Sequence, residues 1–228
     1  PVKVLERLVT KHEIDIIFCE SIKAFDSLKQ VKLLCNKKVN VNSFFHSSLF
    51  MENQLPFRIN EIPNIFTDFR KAIEVTSTKP NKPLSLPKRI FNILSILDNG
   101  MINFQIQPNN YDKSSFPITD ENFMGGEKSG FIYLKDYFQS NKPSSYKVTR
   151  NELIGKNFST KFSPWLSMGF ISARQIFLYL EEYEKNITKN ESTYWIFFEL
   201  LWRDYFRFIM LKYENKNINK TEINSSNK

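Results

Sequence analysis

Apolar residues recur every three or four positions in VKVLERLVTKHE, and that spacing predicts an amphipathic helix at the start of the chain. DIIFCE is short and dense in β-branched and aromatic side chains, which reads as a strand. SIKAFDSLKQVKLLCNK returns to helical spacing, and VNVNSFF is a second strand candidate. A parallel βαβ crossover is the simplest arrangement, but two strands cannot make a stable doubly wound domain, so the front of that domain is expected to be missing. From about residue 76 to 122 the periodicity fades under Lys-Pro, Asn-Lys-Pro and Leu-Pro punctuation, predicting a long connector with one short helical piece near Ile90 to Leu97. Beyond it three strongly periodic stretches follow, GGEKSGFIYLKDYFQ, SPWLSMGFISARQIFLYLEEYEKN and ESTYWIFFELLWRDYFRFIMLKYEN. The expected organisation is an α/β part over residues 1–75, a connector over 76–122, a helical part over 123–214, and an Asn/Lys/Ser tail over 215–228 whose composition predicts disorder.

Composition narrows the class without naming a function. The 228 residues are 41% hydrophobic and 15% aromatic, enough for a sizeable core. A net charge of +8 favours a polyanionic partner such as nucleic acid, and fits equally well a lysine-rich solvated surface. Two cysteines, Cys19 and Cys35, make neither a disulfide framework nor a metal cluster, which fits a reducing compartment; no metal is expected. His12 and His46 are isolated and belong to no motif, so surface or structural roles are expected for both. No apolar run is long enough to cross a bilayer. The first residue is Pro1, so the native N-terminus is expected to lie upstream.

Two local patterns carry chemistry. In FSTKFSPWLSMGF, Ser163 followed by Pro164 predicts a helix start with Ser163 as N-cap. The free N–H groups of that turn, Lys161 and the hydroxyls of Ser159 and Thr160 suit a phosphate or pyrophosphate; an ordinary cap with polar neighbours explains the same residues. In the last helix, at 100° per residue, Trp195, Glu199, Trp202, Arg203 and Phe206 share about one third of the circumference. Phe198, Leu201, Tyr205 and Phe208 gather on another side as a core stripe. An exposed Glu199–Arg203 pair contributes only about 0.5 kcal/mol, so setting it among indole and phenyl rings suggests a cavity wall. There Trp202 would stack a base, Glu199 would accept from a ring N–H and Arg203 would meet a phosphate. An amphipathic helix with an incidental ion pair is the competing reading.

Taken in order, GGEKSGFIYLKDYF, YKVTRNELIG, FSTKFSPWLSMGFIS and STYWIFFELLWRDYFRF resemble the photolyase/cryptochrome family, most closely its cryptochrome-DASH branch. INEIPNIFTDFRKAIE is similar to the segment that precedes the linker in that branch. The resemblance implies an N-terminal α/β domain with a Rossmann-like parallel sheet, incomplete here, followed by an all-α domain that holds FAD, truncated here. Matched position by position, it implies flavin-binding roles for Tyr146, Ser159, Thr160, Lys161, Phe162, Ser163 and Arg203. It implies a lesion-facing wall of Glu199, Trp202, Arg203 and Phe206, with Glu199 and Trp202 as the catalytic pair.

The implied reaction is blue-light-driven repair of cyclobutane pyrimidine dimers by electron transfer from reduced FAD, with single-stranded DNA preferred because flipping costs least there. A methenyltetrahydrofolate antenna is implied by the branch, with Glu20 as a candidate contact, although FCESIKAF lacks part of the acidic pattern that relatives carry. A monomer is implied. The chain stops after the WRDYFRF helix, so the later helices that complete the family's pocket have no counterpart, and the piece is expected to be inactive alone. A flavin photoreceptor that signals without repair, and an inactive truncated remnant, remain alternatives; the compartment is open.

Overall fold

The computed structural model describes residues 2–21, 39–85, 123–152 and 158–225. Helix α1 (Val2–Lys11) leads into strand β1 (Ile16–Glu20), which pairs with β2 (Asn40–Phe44) in parallel register from Ile16 opposite Asn40 to Glu20 opposite Phe44. Parallel pairing of successive strands requires a crossover, as the alternating pattern predicts. The helix expected between them, with Cys35, lies outside the described residues, as does the piece near Ile90 to Leu97.

After β2 the chain makes two short 3-10 turns, Glu52–Gln54 and Ile59–Glu61, and enters α2 (Phe66–Val75). Phe66, Phe69 and Ile73 repeat at three- and four-residue intervals and are the buried face of α2, so this segment packs into the helical body. Helix α3 (Glu127–Gln139) follows Gly126, whose φ of +94° is open to glycine at no steric cost. Gly130 lets α3 approach α5 closely: a Cβ there would lie 2.9 Å from Trp165 Cδ1.

Helix α4 (Lys142–Thr149) carries Pro143 in its first turn, where the missing N–H costs nothing. Helix α5 (Ser163–Met168) ends at Gly169, φ +73°, the left-handed C-terminal signal. Helix α6 (Ala173–Asn186) opens on a capping box in which Ser172 Oγ accepts from Gln175 N and Gln175 Oε1 accepts from Ser172 N.

Helix α7 spans Glu191–Ser225 and is the spine of the body. Of the core stripe that the periodicity predicts, Leu201, Tyr205 and Phe208 are buried and Phe198 is partly buried, with Phe69 of α2 against Tyr205 and Phe208. Helix α7 runs on to Ser225, into the Asn/Lys/Ser tail. Among the described residues no helix is long and apolar enough to cross a membrane, and no group of three or more His, Cys, Asp or Glu is placed to hold a metal.

Candidate functional site

A cavity of about 280 Å³ opens where α4, α6 and α7 meet the run that enters α5. Its wall contains Tyr146 from α4, Ser159, Thr160, Lys161, Phe162 and Ser163 from the run, and Glu199 and Arg203 from α7. Leu166, Ile176, Ile196 and Leu200 supply the apolar remainder. One concave surface thus has hydroxyls, an ammonium, a carboxylate and a guanidinium over an aliphatic floor, the pattern of a small-molecule site.

The run is held from beneath. Phe162 is buried, stacked with Phe138 at 6.2 Å and edge-on to Tyr137 at 5.1 Å. Lys161 is buried beside it with φ +53°, a left-handed conformation that costs a non-glycine residue about 1 kcal/mol or more and clusters at functional sites. The expected N-cap is corrected: Ser163 is the first helical residue, Phe162 holds the cap position, and no side chain caps the helix. With α5 only six residues long, its dipole is short, and the polar character of the wall comes mainly from side chains.

Glu199 does not pair with Arg203. Its carboxylate Oε1 accepts from Arg150 Nη1, just beyond α4, and the Arg150 guanidinium lies 4.3 Å over the Trp195 ring. Burial raises the pKa of Glu199 and Arg150 pulls it back down. Tyr146 is pushed up to about 12, first by burial and then by the Glu199 charge, against the pull of Arg150. Arg203 instead turns its Nη1 to the Ser47 carbonyl at 2.6 Å, and burial lowers its pKa, with the neighbouring Arg207 charge adding to the effect.

Trp202 and Phe206 do not line this cavity. Trp202 stacks on Phe66 at 3.7 Å and 15°, and on Phe206 at 5.5 Å and 25°. Phe206 is 59% exposed. The third of the circumference that these residues share is therefore split by its neighbours, with Glu199 and Arg203 at the cavity and Trp202 against α2.

Two residues that adjoin the cavity-lining side chains are not singled out by sequence. Arg150 sits four residues after Tyr146, a spacing that puts both on one side of a helical turn. Asp204 is fully buried one residue from Arg203. Its signal was a charge about 40° from Phe208 around the helix, at the edge of the core stripe. Glu20 also finds protein partners: its Oε1 accepts from Ser47 Oγ at 2.7 Å and from Arg207 Nη2 at 2.9 Å, and His46 Nδ1 lies 2.5 Å from Oε2. His46 thus sits against the Glu20 carboxylate, a structural contact.

No family model matches the chain. It is 38% identical to a cryptochrome DASH of Danio rerio over 92% of its own length and 44% of that relative's. Against a cryptochrome DASH of Gloeobacter violaceus it is 45% identical over 78% of its length and 35% of the relative's. The crystal structure of a Synechocystis cryptochrome superposes with a TM-score of 0.68 at 32% identity, covering 93% of this chain and 45% of that one. A class III photolyase of Agrobacterium tumefaciens shares the fold, with a TM-score of 0.61 at 18% identity over 93% of this chain and 44% of that one. The chain spans less than half the length of these relatives. The order of its motifs, the parallel strand pair, the helical body and these likenesses agree: the chain belongs to the photolyase/cryptochrome family, in its cryptochrome DASH branch.

Proposed function

We propose that the protein is an FAD-dependent, blue-light-driven lyase that repairs cyclobutane pyrimidine dimers, with single-stranded DNA as its preferred substrate. The observation that carries this reading is the cavity that gathers Tyr146, Ser159 to Ser163, Glu199 and Arg203 from three separate parts of the chain. The residues fit part of a flavin dinucleotide. At about 280 Å³ the cavity is near the small end of ligand sites, roughly 300–1,000 Å³, so it suits a segment of a dinucleotide rather than the whole.

Ser159, Thr160 and Lys161 would hold phosphate and ribityl oxygens with charge-assisted and neutral hydrogen bonds. Arg203 adds a second cation to that wall, and Tyr146 and Leu166 would pack against the apolar part. Reduced FAD, when bound, supplies the excited-state electron that splits the dimer and then takes it back. Glu199 would orient the lesion through a hydrogen bond, and Arg150 keeps its carboxylate directed. The basic balance of the chain suits a DNA backbone. No side chain has to break a bond by acid–base catalysis. A monomer with a methenyltetrahydrofolate antenna belongs to the same reading; the Glu20 carboxylate, its candidate contact, is directed at Arg207, His46 and Ser47.

The first test is the absorption spectrum of the full-length protein purified without added flavin. A structured flavin band that bleaches on photoreduction is expected, followed by dimer splitting in an irradiated single-stranded oligonucleotide. A folded protein with no flavin sinks the reading.

One observation favours the second reading, a flavin photoreceptor without repair: Trp202, the expected stacking platform, lies against Phe66 instead of the cavity. Trp202→Ala separates the two. Under the repair reading it weakens lesion binding while flavin stays bound; lesion binding that survives unaltered, with no dimer splitting in blue light, supports the photoreceptor.

A further inference from the structure

The wall of the cavity is fastened, through Arg203, to a segment far away in sequence. Residues 46–51 pass across α7 and are gripped at nearly every backbone position. The Asp204 carboxylate takes two successive amides, Leu49 N at 2.9 Å on Oδ1 and Phe50 N at 2.8 Å on Oδ2. Arg203 Nη1 donates to the Ser47 carbonyl at 2.6 Å, and Arg207 Nε to Ser48 Oγ at 2.9 Å. From α6, Arg174 reaches the Ser48 and His46 carbonyls at 3.2 and 3.3 Å. The end of β1 closes the other side, where Glu20 accepts from Ser47 Oγ.

Three features single out Asp204 in this set. It is the one fully buried carboxylate among the described residues, where a charge survives only with full hydrogen bonding. Both its oxygens go to the segment and none to the cavity. It also adjoins Arg203 in sequence, so the segment and the guanidinium are held by the same turn of α7. The Ser47 carbonyl lies two residues before the first amide that Asp204 holds, so moving that amide moves the acceptor that anchors Arg203.

We propose that Asp204 is a positioning residue for the cavity: by fixing the amides of Leu49 and Phe50 it sets the Ser47 carbonyl, and through it the place of the Arg203 guanidinium on the cavity wall. The proposal rests on the flavin reading for its functional consequence and on geometry alone for the placement of Arg203. Burial pushes Asp204 up to about 6 against the pull of the two amides, so the ionised form that binds both is held under load at neutral pH.

The test uses Asp204→Asn in the full-length protein. Asparagine keeps one acceptor but turns an amide donor towards the second backbone N–H. Three readouts follow: hydrogen exchange over residues 46–51, phenylglyoxal labelling of Arg203, and flavin affinity by titration. Roughly tenfold faster exchange, faster labelling and roughly tenfold weaker flavin binding are expected. Ile73→Ala, buried on α2 and no part of the cavity wall, is the control; it lowers stability and leaves labelling and affinity alone.

Faster exchange with Arg203 labelling and flavin affinity at wild-type values overturns the proposal, since Asp204 is then only an anchor of the segment. Loss of affinity in Ile73→Ala to the same degree overturns it too. If the wild type takes up no flavin, the proposed function fails, and Arg203 labelling alone decides the placement. If Asp204→Asn does not fold, Asp204→Glu keeps the carboxylate and displaces it by one methylene, shifting both amides it holds. A smaller rise in Arg203 labelling is expected there, and wild-type labelling overturns the proposal.

Discussion

The helical body and the strand pair solve the burial problem differently. In the body, Trp165, Leu134, Ile176 and Phe208 are almost wholly enclosed, and aromatic contacts run from Phe123 through Trp165 and Tyr133 to Phe162. In the strand pair, Phe18 and Phe44 stack on each other at 6.0 Å yet remain 65% and 55% exposed. Parallel strands are normally covered on both faces and need several neighbours to be stable. What ties β1 to the body is polar, the Glu20, Ser47, Arg207 and His46 cluster, so the two regions are joined by directed hydrogen bonds more than by shared apolar surface.

The contrast can be broken most directly in the core. Phe208→Ala empties a fully buried site and is expected to cost about 3–5 kcal/mol in urea unfolding; a loss below about 1 kcal/mol removes the claim that apolar burial holds the body.

The junction between the regions responds to pH. The Asp204 carboxyl releases its proton near 4 when unfolded and near 6 when folded, so between those values the folded chain holds a proton that the unfolded chain has lost. Its contribution to stability is full below about 4 and is lost as pH rises through about 6, a fall on the order of 3 kcal/mol. The Arg203 and Arg207 charges on the same helix favour the ionised carboxylate and oppose the effect of burial. Unfolding midpoints of wild type and Asp204→Asn from pH 4 to 7 isolate the part due to Asp204; parallel curves contradict the assignment.

Within the body, Gly130→Ala places a methyl group 2.9 Å from Trp165, and overpacking of this kind costs about 1–3 kcal/mol. A neutral result means that the indole has room to move. The smallest effect belongs to the sheet: Phe18→Ser removes only a partly exposed stacking contact and is expected to cost under about 1 kcal/mol by the same assay. A larger loss sharpens the comparison in reverse, showing that the strand pair relies on that contact.

Sequence pattern reached some parts of this picture and missed others for identifiable reasons. Helical spacing located α1, α3, α6 and the core stripe of α7, and β-branched density located both strands. The run Ser159 to Ser163 was visible as a polar cluster before a proline, and the structure sets it around a cavity with Tyr146, Glu199 and Arg203. The wheel that grouped Glu199, Trp202 and Arg203 described which way side chains leave the helix, but a 100° arc is wide enough to meet three different neighbours. The Ser163 cap missed by one position because Ser-Pro fits a cap followed by N1 as well as the first two helical residues. From residue 215 the composition is that of a disordered tail, while the backbone of α7 is helical to Ser225.

By itself the sequence determined the periodic elements, the order of the four motifs and with them the family, because those signals are local and each is carried within a few turns of chain. Only the tertiary structure decided who meets whom. Arg150 reaches Glu199 across 49 residues, Ser47 receives Arg203 across 156, and Asp204 gathers Leu49 and Phe50 from more than 150 residues away. Such partners are selected by the packing of whole helices, which brings buried charges to the particular amides and carbonyls that offset their desolvation, and no local pattern encodes that choice.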